Sequence, residues 1–495
     1  MEVNCAALRF LHARVSLPLM AVLICSHAAV GDPYLAIYGA PIVDSNGSQM
    51  RGSLVASNIQ HWVNDSGVAV ASGTRLSPAG FIFDSRAGQW NATGSANADL
   101  DPISTSSQGR SSVFVNAINN SGISVGNSEK YGPAGNSLGT RPVRWDAAGE
   151  PTELDNLGVG SDGYTQAEVL ALNSSGMSVG NALTLQSTGY LDGYAAVRWS
   201  ATGTAATALG DLGKSTSGVG YSNAYDVNDA GDTVGYSIKF GSAGNYLGDR
   251  AVRWNAGSTV PIELANLGTS STGSAATLAS AVNNSNLAIG YAGKFNSVGT
   301  YIGDRAVRWD AQGNVTELAT LSTGLNGKAD VKATAINEAG TIVGVGTNYT
   351  SAGSPSGLTA IRWDASGVAS SLGNAASLSV RDINDSGIAV GHLNDRAAYW
   401  PAQSTSPVYL DTLINPASGW RLTEAVSISN TGWITGSGFF DPGGNGAVAP
   451  FSRFFLLQLP AVPEPSAILL GALALASLIG TGGRRRTGAR SVTPC

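Results

Sequence analysis

The chain has 495 residues, of which 13 % are charged and 43 % hydrophobic, with 64 glycines and a formal net charge of −6. This composition is too apolar for a disordered polymer and too acidic for a nucleic-acid binder, which needs basic patches. Low charge with abundant Gly, Ser, Thr, Asn and Val points to short strands separated by many turns.

Arg9 and Arg14 precede a mostly apolar run over residues 15–30, and Ala29 and Gly31 stand where a cleavage site needs small residues. Residues 1–31 therefore read as a signal peptide. Cys25 follows the bulky Ile24, which argues against a lipoprotein site. The three cysteines, Cys5, Cys25 and Cys495, all lie in the terminal segments. A body without cysteine has neither a disulfide nor a thiolate metal site, so burial and hydrogen bonding must hold it together.

Residues 32–460 form a repeat domain. Its anchor is Asn-x-x-Gly, clearest at Asn119 to Gly122, Asn228 to Gly231 and Asn384 to Gly387. First positions fall at Asn64, Asn119, Asn173, Asn228, Asn283, Asn337, Asn384 and, in a degenerate copy, Ser429. A period this regular means a modular array. Apolar alternation on both sides of the anchor reads as two strands joined by a tight turn, with Gly supplying positive φ. Asn286 replaces Gly in the fifth copy, and Asn is the next-best residue for that conformation.

A third strand ends on an aromatic, giving Trp145, Trp199, Trp254, Trp309, Trp363 and Trp400, while the first copy has Phe83 where Trp is expected. Period-2 geometry places Val252 and Trp254 on one face and Ala251 and Arg253 on the other. The Trp face is expected to pack between repeats rather than to form a sugar-stacking ladder. The Arg stem should cover apolar surface while its head meets a carboxylate or a carbonyl. A short fourth strand follows, such as Thr316-Glu317-Leu318. Four strands per copy predict an all-β chain, a β-propeller of about eight four-stranded repeats closing as seven or eight blades. The last copy lacks a fourth strand, and residues 34–37 could supply it by pairing with residues 454–459, removing the open edge.

Candidate chemistry is sparse. Between the termini only His61 and His392 remain, in different copies, which leaves no His-based metal cage or triad. His392 follows Gly391 and reads as a loop residue. Asp226, Asp229, Asp382 and Asp385 are candidates for paired-carboxylate glycoside chemistry, although two of them are turn residues of the repeat. No catalytic residue, metal site or cofactor is predicted. The loops between second and third strands carry Lys130 and Tyr131, Lys239 and Phe240, and Lys294 and Phe295. Insertions at one point per repeat gather on one face, and aromatic and polar side chains there could form a glycan-binding rim.

At the C-terminus, Pro463, Glu464 and Pro465 precede an apolar run over residues 467–480 and then Arg484, Arg485 and Arg486. The apolar run only just spans a bilayer as a helix, with the arginines on the cytoplasmic side. Residues 461–490 resemble a PEP-CTERM sorting tail, found on exported proteins of Gram-negative bacteria that make extracellular polysaccharide. The resemblance implies that a membrane exosortase recognises Pro463, Glu464 and Pro465 and removes the helix. The repeat is also similar to the HAF family of extracellular repeats, with I-N-x-x-G-x-x-V-G, an A-x-x-W segment and L-G, over roughly residues 55–459. The signal carries +1 and the tail after Ser466 carries +4, leaving −11 for residues 32–466. The expected protein is therefore exported, held transiently in the inner membrane and then placed at the outer surface or in the matrix. The expected function is non-enzymatic contact with exopolysaccharide. The alternatives are a polysaccharide lyase or hydrolase on the same scaffold, and a purely structural surface protein.

Overall fold

The computed structural model describes residues 37–38, 50–51, 63–76, 82–93, 96–185, 191–441 and 451–459. The chain divides into a unit of residues 1–33 and a unit of residues 34–495, and all described residues belong to the second. Residues 1–31, expected to be a signal peptide, and residues 461–490, expected to be a sorting tail with Pro463, Glu464, Pro465, Arg484, Arg485 and Arg486, lie outside the described residues. Among the described residues no helix is long and apolar enough to cross a membrane.

The described strands form six four-stranded antiparallel sheets and one eight-stranded sheet, in which two four-stranded antiparallel units are joined by a short parallel pairing of Gly193 with Gly220 and Tyr194 with Tyr221, making eight units. In the fourth, Gly220–Val227, Thr233–Phe240, Tyr246–Trp254 and Pro261–Glu263 pair in chain order. The units pack face to face around a channel, so the fold is a β-propeller and the units are its blades. The eighth blade takes Trp420–Ile428, Trp433–Phe440 and Phe451–Gln458 from late in the chain and its outer strand, Ile37–Tyr38, from early in it. Ile37 pairs with Leu456 and Tyr38 with Phe455. The expected closing strand is thus present, with its described pairs one residue further along than residues 34–37.

The Asn-x-x-Gly anchors are the turns between first and second strands. Gly231 has φ +94, and Asn286, at the same position in the next blade, has φ 62. Each anchor Asn works in two directions. Its Oδ1 accepts backbone N–H groups of its own turn, as Asn173 does from Ser175 at 3.1 Å and Met177 at 3.0 Å. Its Nδ2 donates to the anchor carbonyl of the next blade: Asn64 to Asn119, Asn173 to Asn228 and Asn384 to Ser429, at 3.1, 3.0 and 3.1 Å. An amide supplies both an acceptor and a donor at one side-chain end, whereas a carboxylate only accepts, which is why the repeat uses Asn and not Asp. At the joint between the last and first blades, Ser429 is too short for the second task. Thr431 Oγ1 donates to the Asp65 carbonyl instead, at 2.6 Å, beside the Asn430 N–H to Asp65 carboxylate bond at 2.8 Å that repeats the one Ser174 makes to Asp229.

Trp145, Trp199, Trp254, Trp309, Trp363 and Trp400 are fully buried. Each indole N–H donates to a carbonyl at the end of the preceding blade, for example Trp254 to Gly210 at 2.9 Å and Trp309 to Ala265 at 2.6 Å. No face is left for a sugar, so the packing reading holds. The Arg before five of these Trp residues (Tyr399 precedes Trp400) points the other way: Arg253 donates to the carbonyls of Ala311, Asn286 and Asp310 in the next blade, at 2.8, 3.0 and 3.1 Å. Carbonyls, not carboxylates, are its partners. In blade 1 the register corrects the sequence reading. Trp90 pairs with Ala69 just as Trp145 pairs with Ser124, so Trp90 and not Phe83 holds the aromatic position. The Arg-Trp pair that marks blades 2 to 6 is missing there, with buried Gln89 in the Arg place. The Gly of the Val-Gly pair in second strands has a steric cause. A Cβ on Gly235 would overlap the Asn223 carbonyl, which a bulge between Ala224 and Asp226 drives against it.

Candidate functional site

Antiparallel alternation sends the first–second and third–fourth turns to one face of the ring. The second–third hairpins and the connections between blades lie on the other. The two faces differ in chemistry.

On the turn face the Asn ring frames a cavity of about 260 Å³ at the channel mouth. Its lining includes Asp65, Asp226, Asp229, Glu338, Asp382 and Asp385, with no Lys, Arg or His among the lining residues. The four carboxylates read as glycoside candidates therefore share one cavity, but on blades 4 and 7, three blades apart. They also serve the scaffold. Asp226 accepts from the N–H groups of Val227 and, in the next blade, Val282, both at 2.9 Å. Asp382 accepts from Ile383 at 2.8 Å and from Ile428 at 2.9 Å. Asp229 accepts from Ser174 N–H at 3.0 Å, and Asp385 from Glu338 N–H at 3.0 Å. Burial, reinforced by the charges of Asp385 and Asp229, raises the Glu338 carboxyl above its usual range. Among the described residues no group of three or more His, Cys, Asp or Glu is placed to hold a metal ion.

On the hairpin face the predicted rim divides. Its lysines turn into the blade. Lys130, Lys239 and Lys294 lie 2.7, 2.6 and 2.6 Å from Glu153, Glu263 and Glu317 of the outer strands. Lys130 stands opposite Gly139, where no side chain blocks its path across the third strand. The same carboxylates meet the nearly buried Arg141, Arg250 and Arg305, at 3.5, 3.1 and 3.3 Å. The other ends of these arginines hold the next connection, with Arg141 donating to Thr165 and Arg305 to Ala329 at 2.7 and 2.6 Å. The Lys–Glu–Arg set is thus an ion-paired clasp within the blade, a role the sequence reading did not include. Sequence alone hid it because Glu153 is 23 residues from Lys130 and meets it only after the blade folds.

The aromatics remain at the surface. Phe240 packs edge-on against Tyr246 with ring centroids 6.5 Å apart, and Phe295 against Tyr301 at 5.8 Å. Tyr246 and Tyr301 are about half exposed, at 55 % and 49 %. Their hydroxyls are aimed by carboxylates three residues on: Tyr246 donates to Asp249 at 3.1 Å and Tyr301 to Asp304 at 2.6 Å. Tyr349 repeats the theme in blade 6, donating to Asp330 at 2.9 Å. Burial, then the bond to Asp330, pushes its hydroxyl up to about 12, and burial with the Asp304 bond pushes Tyr301 up as well. Behind this edge Tyr225 stacks on Tyr236 at 5.9 Å, and Lys332 sits 4.2 Å over the Tyr291 ring while pairing with Asp304 at 3.4 Å. Tyr131 lies on the same face in blade 2, with burial raising its hydroxyl. The Tyr-x-Gly-Asp pattern at Tyr246 and Tyr301 was readable in the sequence but hidden among Gly/Ser-rich loops.

His392 corrects the sequence reading. It lies in the strand Ala389–Leu393, not in a loop. Its Nδ1 and Nε2 are 2.8 Å from Ser379 Oγ and 3.2 Å from Ser377 Oγ. Glu424 of blade 8 is 3.6 Å from Nδ1 and 2.7 Å from Arg381. Burial opposes ionisation of Glu424, but His392 and Arg381 outweigh it and hold its carboxyl below the usual range. His61 lies outside the described residues.

Residues 195–441 match the profile of a family described as "Protein of unknown function (DUF3466)". Comparison with curated protein sequences gives no match. Among solved structures, the chain is similar to a Dos1 propeller, at 11 % identity over 82 % of this chain and 96 % of that one, with a TM-score of 0.30. It is also similar to the propeller domain of the Trilobed protease from Pyrococcus furiosus, at 9 % identity over 66 % and 95 %, with a TM-score of 0.26. A protein of unknown function from Dyadobacter fermentans matches at 11 % identity over 58 % and 93 %, with a TM-score of 0.27.

Proposed function

We propose that this is an exported, non-enzymatic surface or matrix protein that binds polysaccharide on the hairpin face of its propeller. The observation that carries the reading is the pair Tyr246 and Tyr301, in equivalent places of neighbouring blades. Each ring is half exposed, braced by a Phe, and has its hydroxyl fixed by an Asp. Rigid aromatic platforms with fixed polar groups beside them match the two-sided chemistry of a sugar ring, apolar on its C–H face and polar at its edge. The PEP-CTERM-like tail supports the address, with export by the signal peptide, transient anchoring, and release by an exosortase acting at Pro463, Glu464 and Pro465. The blade number of eight follows the same proposal, as a rigid ring presenting one face outward. A lyase or hydrolase reading would need carboxylates free to reach substrate, and those at the channel mouth accept backbone hydrogen bonds. Binding to a polysaccharide panel, read beside product analysis, tests the proposal. Retention on a glycan that is lost in Tyr246→Ala and Tyr301→Ala, with no new reducing or unsaturated ends, is expected. New ends would move the protein to the enzyme reading, and a glycan-blind protein would leave a structural role.

A further inference from the structure

The charge arrangement on the hairpin face bears on which glycan the site takes. An acidic polysaccharide needs cations free to meet its carboxylates or sulfates. The lysines nearest the aromatic edge, Lys130, Lys239 and Lys294, are each closed onto a glutamate at 2.6–2.7 Å. The repeats themselves show what these lysines are for. In blade 3 the equivalent places hold Thr184, Ala195 and Ala208, so Lys, Arg and Glu are absent together. In blade 6 they hold Asn348, Thr359 and Ser371, and Thr359 bonds to Asn348 and, at 2.7 Å, to Asn374. A lysine kept for an anionic ligand could persist without its glutamate, whereas these come and go as a set, as parts of an internal clasp must.

The groups that do stand beside the exposed rings are carboxylates. Asp249 and Asp304 hold the tyrosine hydroxyls, and Asp330 holds Tyr349. Of the other lysines on this face, Lys332 is paired with Asp304 and stacked over Tyr291, Lys214 is paired with Asp211 at 3.3 Å, and Lys328 stands exposed in the connection between blades 5 and 6. A sugar acid stacked on Tyr246 or Tyr301 would bring like charge next to Asp249 or Asp304, and like charges across an interface select against the wrong partner. A neutral sugar meets no such conflict, and carboxylates accept its hydroxyl protons well.

We infer that the site selects uncharged polysaccharide and that blades 4 and 5 form its centre, through Tyr246 with Asp249 and Tyr301 with Asp304. This rests on the glycan-binding reading and adds the ligand class to it. The test is affinity electrophoresis and calorimetry of the full chain against two neutral glycans, dextran and a β-glucan, and two anionic ones, alginate and polygalacturonate, at low and high NaCl. The expected result is at least tenfold preference for a neutral glycan and less than twofold change with salt. Tyr246→Ala and Tyr301→Ala should each lose tenfold or more. Tyr246→Phe, which keeps the ring, should lose less, and thermal unfolding verifies that each variant is folded. Asp249→Asn with Asp304→Asn should narrow the gap between neutral and anionic glycans. Tighter, salt-sensitive binding of alginate or polygalacturonate would overturn the neutral-ligand inference while leaving the glycan reading intact. Absence of binding to all four, or binding indifferent to both tyrosines, would overturn the two together.

Discussion

The turn face and the hairpin face of this propeller are built from the same eight repeats but obey different rules. On the turn face nearly every blade carries the same groups, and each acts on its neighbour. The anchor Asn bonds to the next anchor carbonyl, the Arg to the next turn, and the Trp to the previous outer strand. On the hairpin face the blades diverge: a Lys–Glu–Arg clasp in blades 2, 4 and 5, a neutral set in blade 6, and a His–Ser–Glu junction between blades 7 and 8. Contacts that close the ring must repeat because each blade has to fit two neighbours. Groups that face outward are released from that constraint and can specialise.

The sharpest way to break the turn face is Trp254→Ala. It leaves a cavity in a fully buried site and orphans the Gly210 carbonyl, so a loss of about 3–5 kcal/mol is expected, read by chemical denaturation. Asn228→Ala removes the cap on Asp232 N–H and the bond to the Asn283 carbonyl, for about 2–3 kcal/mol. Asn228→Asp keeps the acceptor but loses the donor, and recovery of only part of that stability would establish that both directions matter.

Two carboxylates sharpen the comparison through pH. Glu338, on the turn face, has a raised pKa. Its folded form holds a proton more readily than its unfolded form, so its charge destabilises the ring as pH rises above about 4.3. Glu338→Gln should therefore raise the melting temperature at pH 7, with the gain vanishing below pH 4. Glu424, between blades 7 and 8, has a lowered pKa. Its stabilisation is present above about pH 4.3 and is lost as pH falls through its lower folded value. Glu424→Gln should lower the melting temperature at pH 7, and the deficit should close at acid pH. Matching signs in the two variants would contradict the assignment of repulsion to one and attraction to the other.

The smallest expected effect on stability comes from the hairpin face. Tyr246→Ala should stay within about 0.5 kcal/mol of the parent, since the ring is half exposed, while abolishing glycan retention. A large loss of stability there would make the tyrosine a scaffold residue and erase the distinction between the faces.

Local pattern was enough to read much of this protein. The Asn-x-x-Gly turns, the Trp strand and the four-strand period follow from chirality, pleat and periodicity, which act between residues close in sequence, and the closing strand followed from the fourth strand that the last copy lacks. Positive φ at Asn286 was legible for the same reason. Blade 1 was misread because Trp90 holds its place through pairing with Ala69, not through its sequence neighbours. The partners of Lys130, Lys239 and Lys294 were also out of reach, because a side chain's charge state and freedom depend on what folding brings beside it. The sequence by itself determined a ring of repeats and the positions of its aromatics. Only the tertiary structure decided which groups the ring consumes and which it leaves for a ligand, since hydrogen bonds and ion pairs between blades join residues that the chain keeps tens of positions apart.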